Sequence, residues 1–383
     1  MIYLDNSATT KPAPEVISAM TKVLTEDFGN PSTLYSLGLS AGKILKAARS
    51  SVAKSMGASD GEVYFTSGGT ESDNAAIFGA WETRKKQGKR IITTAVEHPA
   101  VLKCFEALKT RGADVVILPV DADCAVSLDD LKEALTEDTV LVSVMRVNNE
   151  TGAIFPIADI AGIISSFAKE KGVAKPLFHS DCVQGYGKMR TDVTALGVDM
   201  LSISGHKVHG PKGIGALYVK SGVHIPALIY GGGQEKNLRS GTENMPGIAG
   251  LGAAAELITP GPFEVSRYLK GLILGAIPDV KVNSPENGCS SVLNVSFLGC
   301  RAEVLLHQLE QDGIFVSTGS ACSSKSKGSH VLTAMGLKPE EIEGALRFSF
   351  NRHNTKEEMD ITVEKLKTYV ESQRRLRSAF RKR

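Results

Sequence analysis

The sequence predicts an α/β protein: a mostly parallel, seven-stranded sheet covered by helices on both faces, followed by a smaller α+β unit. Three observations carry this. Short apolar runs alternate with amphipathic stretches from about residue 40 to 220, the pattern of strands joined by helical crossovers. The polar residues of chemical interest fall at the carboxyl ends of those runs, where such sheets bind ligands. The pattern then changes at Ile258-Thr259-Pro260-Gly261-Pro262, after which helix, strand, helix and strand follow one another.

The strands are expected at 62–67, 90–95, 115–120, 140–147, 177–181, 200–204 and 215–219. Helices lie between most of them; one carries Leu45, Ala48, Val52 and Met56 on one face and stops at Gly57. Beyond residue 258, 294–297 reads as a strand, 302–311 as a helix ended by Gly313, and 314–317 and 345–350 as strands. A last helix opens with a capping box, Thr355 and Glu358, and puts Met359, Val363, Leu366 and Val370 on one stripe. The basic tail, with Arg374, Arg375, Arg377 and Arg381, reads as a solvated helix end that complements the helix dipole. The expected division is a large unit of residues 14–257 and a small one made of 1–13 and 258–383.

Composition bounds the function. The chain has 383 residues, 42% of them hydrophobic and 22% charged, which is globular and long enough for two domains. A net charge of +2 gives no electrostatic case for nucleic acid as the main ligand. No apolar run approaches the ~20 residues of a membrane span, and the first residues, Met1-Ile2-Tyr3-Leu4-Asp5-Asn6, lack the regions of a signal peptide. Six cysteines, at 104, 124, 182, 289, 300 and 322, show no CxxC spacing. They form neither a zinc pattern nor a disulfide framework, so reduced thiols and a cytoplasmic protein are expected.

The most informative stretch is Ser204-Gly205-His206-Lys207-Val208-His209-Gly210. It sets Lys207 in a glycine-rich turn at the end of an apolar strand. An isolated lysine there is usually a surface residue; a partly desolvated one is a Schiff-base nucleophile, because desolvation lowers its pKa and frees the amine. Its neighbours favour the second reading. Thr66-Ser67-Gly68-Gly69-Thr70-Glu71 runs from strand through glycine turn into helix, an anion site or a plain tight turn. Gly231-Gly232-Gly233, followed by Arg239 and Thr242, is a further candidate beside a flexible-loop reading. Asp181 stands just past an apolar strand, with Gln184 one turn on; it is a helix cap or the partner of a buried cation such as a pyridinium nitrogen. His98, after another strand, is a packed imidazole or one that stacks on a flat cofactor and moves protons. Asn149 also follows a strand, where it suits orientation of a polar ring substituent. Cys322 lies in a small, polar segment with Lys325 and Lys327, which would favour its thiolate; core packing is the default for the other five cysteines. His206 and His209 form an H-x-x-H pair, but no third ligand stands near for zinc.

Together these segments resemble the cysteine desulfurases, class V pyridoxal-phosphate enzymes of the aspartate aminotransferase-like fold (fold type I). The resemblance runs from Tyr3-Leu4-Asp5-Asn6-Ser7-Ala8-Thr9-Thr10 to Arg347-Phe348-Ser349-Phe350. Ser320-Ala321-Cys322, followed by Ser329-His330-Val331-Leu332, looks like the group with a long catalytic-cysteine loop. It implies pyridoxal 5'-phosphate bound to Lys207, Asp181 on the ring nitrogen, His98 stacked on the ring, and Gln184 and Asn149 at its oxygen side. The phosphate would take Gly69, Thr70, Ser204 and His206, with Thr242 reaching over from the second subunit of a homodimer. Arg347 would clamp the carboxylate of L-cysteine, and Cys322 would accept its sulfur as a persulfide while alanine leaves. The sulfur would pass to an iron–sulfur scaffold, with a transient iron–sulfur contact at Cys322, or to a tRNA-thiolation enzyme; no metal, nucleic acid or membrane is implied. Tyr35, Cys182 and Asn351 depart from the family's commoner histidine, alanine and glycine; Cys182 is expected to be packed only. Selenocysteine lyase, a class V aminotransferase and a non-catalytic assembly scaffold are the competing readings.

Overall fold

Apolar runs between glycine turns become the strands of a seven-stranded sheet. The structure, a computed structural model, describes residues 1–261, 263–319 and 328–381. The chain opens on a two-residue strand, β1 (Ile2–Tyr3). Then β2 (Val63–Thr66), β3 (Arg90–Thr94), β4 (Asp114–Leu118), β5 (Thr139–Ser143), β6 (Leu177–Asp181), β7 (Met200–Ser204) and β8 (Gly215–Val219) form one sheet in the order β2-β8-β7-β6-β5-β3-β4. Neighbours from β4 to β7 run parallel, whereas β8 runs antiparallel to both β7 and β2. Every residue of β5 to β8 is buried, as expected of strands covered on both faces. Successive residues point to opposite faces: Ile92, Val142 and Phe178 enter one core, and Ile91, Leu141 and Leu177 the other.

Two strands of this sheet end two or more residues earlier than the sequence suggests. β5 stops at Ser143 because the chain folds back beyond it, with Val147 bridging Ile154 and the Asn148 amide donating to the Ala153 carbonyl. β4 stops at Leu118, and Val120 only bridges Val126 across a turn capped by Asp121.

A second core gathers around β9 (Val280–Val282), β10 (Val292–Phe297), β11 (Ile314–Phe315) and β12 (Ala345–Ser349). β10 lies between β9 and β12, antiparallel to both, and β1 pairs with β11 in parallel. Leu4, Val295, Phe348, Leu309, Met359 and Leu366 share this core. The strand expected at 314–317 has two residues, since Ser317 turns away to bridge Arg347. Val331, Leu332 and Met335 pack into the large-sheet core. The last helix, Lys356–Arg381, opens with the reciprocal Thr355–Glu358 box. Its tail is not simply solvated: Arg374 donates to the carbonyls of Leu298, Pro278 and Asp279, tying the helix to the β9 and β10 ends. No described helix is long and apolar enough to cross a membrane.

Glu235, at a left-handed φ of 47°, pins the glycine loop 231–233 to the edge strand. Its carboxylate accepts both terminal nitrogens of Arg49, at 2.8 and 2.7 Å, and the Phe65 N–H at 2.9 Å. Glu235→Ala strands a largely buried guanidinium and an amide, so a loss of about 3 kcal/mol in urea-measured stability is expected.

Candidate active site

A cavity of about 350 Å³ opens at the carboxyl ends of the parallel strands. Gly69, Thr70, His98, Asn149, Asp181, Gln184, Ser204, His206, Lys207 and Arg347 all line it. Thr242 is exposed and is not part of that lining. Cys322, with Lys325 and Lys327, lies outside the described residues; Gly319 and Ser329, on either side of that stretch, border the cavity.

Lys207 ends a short 3-10 turn directly after β7. Its Nζ donates to the carbonyls of Ser7 at 2.6 Å and Ala8 at 2.9 Å. The turn is closed by glycines: a Cβ on Gly205 would sit 2.9 Å from Ile214, and one on Gly210 would sit 2.8 Å from the Gly205 carbonyl oxygen.

Asp181 ends β6. One carboxylate oxygen accepts the Val183 N–H at 2.8 Å. Burial pushes its pKa up, against the opposing pull of His98, that N–H and Lys207. A carboxylate held at such cost calls for a cationic partner. His98 caps the helix Pro99–Thr110, its Nδ1 accepting the Ala100 N–H at 3.1 Å. That bond puts the proton of the neutral ring on Nε2. Burial lowers its pKa, Lys207 and His330 push the same way, and Asp181 opposes them, so the ring is neutral at physiological pH. Gln184 donates from Nε2 to the Ser7 carbonyl at 3.0 Å.

Beside Lys207 lies an anion corner. The helix Gly69–Arg84 starts there and presents its first backbone N–H groups. Gly69 must be glycine, because a Cβ would fall 2.6 Å from Val183 Cγ2. Ser204 and His206 border the corner; burial takes His206 down to about 4, with Lys207 acting in the same direction, so it is a neutral partner. Across the cavity, Arg347 is held by the Asp5 carboxylate at 2.8 Å and the Asn149 carbonyl at 3.1 Å, while its Nε is buried without a partner.

Sequence reasoning gave no role to several groups here. Ser7 supplies the shared carbonyl and has a buried, unpartnered hydroxyl. Asp73 and Glu97 are buried carboxyls, each with one unpartnered oxygen. His179 lies 3.6 Å from Asp73 but forms no ion pair, since burial takes its pKa to about 3. Glu150 accepts the Ser329 hydroxyl, and a Cβ on Gly319 would lie 3.0 Å from the same carboxylate. His330 donates from Nε2 to the Glu97 carbonyl oxygen at 3.0 Å, which only accepts, so Nε2 carries the proton. Cys182, also lacking a functional contact, is wholly buried in the large core, where its thiol is pushed up to about 12. Cys104, Cys124, Cys289 and Cys300 are buried free thiols as well. His206 and His209 engage Thr9 and the Lys11 carbonyl, and the described residues hold no cluster of three or more metal-ligating side chains.

Comparison with known proteins gives the class. The family described as aminotransferase class-V matches residues 2–362, and the chain belongs to it. The cysteine desulfurase IscS of Clostridium botulinum is 44% identical over 386 residues, covering 98% of this chain and 96% of that one. Among solved structures, a NifS-like protein superposes with a TM-score of 0.87 at 37% identity, covering 97% of this chain and 99% of that one. SspA in complex with cysteine gives a TM-score of 0.82 at 36% identity, covering 93% and 100%. Enzymes of this class depend on pyridoxal phosphate, and the cavity suits it: a lysine amine, a buried carboxylate lacking its cation and a helix N-terminus for a phosphate face one space.

Glu97 gives this site a measurable pH signature. Burial lifts its pKa from 4.5 to about 8, with the Met145 N–H and the Thr94 hydroxyl pulling it down. The folded protein then keeps a proton that the unfolded chain releases, so stability falls as pH rises from 4.5 towards 8. Glu97→Gln is expected to flatten that decline by up to about 1.4 kcal/mol per pH unit, measured by denaturant unfolding across the window.

Proposed function

We infer that the protein is a pyridoxal-phosphate-dependent cysteine desulfurase, which takes sulfur from L-cysteine and releases alanine. The observation that carries this reading is Lys207, aimed at two backbone carbonyls inside a cavity shared with the under-compensated Asp181. Lys207 would hold the cofactor covalently, with Asp181 at its ring nitrogen and His98 against its face. Gln184 and Asn149 would meet the ring's oxygen side; Gly69, Thr70, Ser204 and His206 would take the phosphate. Bound there, pyridoxal phosphate supplies an electron sink for cleaving bonds at the substrate's Cα and Cβ.

The chain's own groups do the rest. Arg347, steadied by Asp5, offers its remaining N–H groups to the substrate carboxylate. Lys207, freed from the cofactor when cysteine takes its place, accepts the Cα proton at Nζ. His98, neutral with its proton on Nε2, is suited to proton exchange at the reacting centre. Cys322 would attack the substrate sulfur as thiolate; the carbon–sulfur bond breaks, the sulfur stays on Cys322 as persulfide, and the carbon skeleton leaves as alanine. Residues 14–257 would form the cofactor unit, and residues 1–13 with 258–383 the unit that carries Cys322; the core around β10 and β12 supports this division, while Val331, Leu332 and Met335 pack across it into the large-sheet core.

The persulfide would go to an iron–sulfur scaffold or a tRNA-thiolation enzyme in the cytoplasm, where the free thiols of the described cysteines suit a reducing environment. A homodimer is supported by the apolar side chains left exposed along one stretch: Leu24, Phe28, Leu34, Tyr35 and Leu39. Thr242, exposed beyond the Glu235 loop, would then reach the neighbour's phosphate.

The decisive assay adds L-cysteine to the pyridoxal-phosphate-loaded protein and follows alanine together with sulfur on Cys322. Both are expected. Lys207→Ala should lower turnover by about 10²–10⁴-fold and abolish borohydride trapping of the cofactor. Cys322→Ala should abolish alanine formation while the cofactor stays bound; turnover surviving that change would favour an aminotransferase. Phe28→Asp combined with Leu34→Asp is expected to convert a dimer to monomer in sedimentation analysis.

A further inference from the structure

Lys188 is buried and has no part in the chemistry described above. The turn after β6 brings it beneath the cavity. Gly187, at φ +76°, leaves no room for a side chain, since a Cβ would lie 2.7 Å from Val208. A Cβ on Gly185 would lie 2.8 Å from Arg146. The Lys188 and Met189 amides both close on the Gly185 carbonyl. The Lys188 ammonium thereby reaches Gln184 and donates to its Oε1. On the other side of the same carboxamide, Nε2 donates to the Ser7 carbonyl, the oxygen that also receives Lys207 Nζ.

This arrangement settles which way Gln184 points. An ammonium has only donors and a peptide carbonyl only accepts. With Lys188 on one side and Ser7 on the other, a flipped carboxamide would face donor to donor and acceptor to acceptor. The nitrogen is therefore the end that lies beside Lys207. The titratable groups around Lys188 are Lys207, Arg347, Cys289, Cys182, His206 and His209. Burial lowers Lys188 to about 7, with the two cations acting in the same direction and the two thiols against it.

We propose that Lys188 is a positioning residue of the cofactor pocket: it holds the Gln184 carboxamide with its nitrogen, a donor, toward Ser7 and Lys207. The proposal rests on the pyridoxal-phosphate reading above. The test loads wild type, Lys188→Met and Lys188→Arg with pyridoxal phosphate. It records cofactor affinity and, from the absorption spectrum, the protonation midpoint of the Lys207–cofactor linkage. In Lys188→Met the midpoint should rise by about one pH unit and cofactor affinity should fall about tenfold; Lys188→Arg should bring the midpoint back toward wild type. If Lys188→Met does not fold, Lys188→Ala, which likewise leaves no donor for Gln184 Oε1, carries the same expectation. A folded neutral variant with wild-type midpoint and affinity, whatever its thermal stability, would leave Lys188 a mere filler of the core and overturn the proposal. A wild-type protein with no visible cofactor band would instead remove the functional reading itself.

Discussion

The backbone carbonyl of Ser7 is the contact on which the site depends. It accepts Lys207 Nζ and Gln184 Nε2 together, so the position of one peptide near the N-terminus sets both the lysine amine and a carboxamide. That peptide is held from two directions. Towards β12, the Ser7 amide donates to the Ser349 hydroxyl, and Asn6 donates to the Ser349 carbonyl. Towards the lysine turn, the Thr10 amide and hydroxyl both reach the His206 carbonyl, and the His209 amide returns to Thr10. The first ten residues thus clamp the lysine turn to β12. Arg347, on that strand, is in turn paired with Asp5. The placements of the Arg347 guanidinium and of Lys207 are both consequences of one threaded segment.

The glycine-rich stretches have a matching steric logic. Gly215 at the start of β8 allows the turn at Gly68 to lie against the strand, since its Cβ would fall 2.7 Å from Gly68 Cα. Gly68 itself has φ +152° and precedes a helix whose amides face the cavity. Backbone, not side chains, therefore fills the space between the lysine turn and the anion corner, and the peptide N–H groups come close enough to act as ligands.

Much of this was legible in the chain and some was not. β6, β7 and β8 were bounded to the residue because each is a short apolar run buried on both faces and cut by a polar or glycine break. The residues at their ends were legible for the same reason: a charged group that interrupts such a run at the sheet's ligand end stands out. Asp73 and Glu97 did not, because each reads locally as ordinary, one inside a polar helix turn and one before His98; only the tertiary contacts bury them. Lys188 looks like a surface lysine seven residues beyond Asp181, and nothing local shows that two glycine turns fold it inward. The Ser7 contacts span 177 and 200 residues, and no spacing rule reaches that far. The tail misled in the opposite sense: Arg374 sits among exposed basic neighbours, yet three distant carbonyls engage it.

The placement of charge follows from the same folding constraints. Asp181 and Glu97 sit at strand ends and Asp73 in the helix between them, all deep; burial and mutual repulsion raise their pKa values, so they resist holding several negative charges at once. Lys207 and Arg347 line the side formed by the N-terminal segment and β12, where backbone carbonyls and Asp5 take up their donors, and Lys188 lies behind them on Gln184. A ligand that is cationic at one end and anionic at the other would relieve both halves: its positive nitrogen would favour ionised Asp181, and its negative groups would meet the helix amides and the arginine. An apolar or singly charged ligand would relieve only one. On the proposed function, cofactor affinity, substrate choice and the pH response of the protein would then follow from one distribution of buried charge.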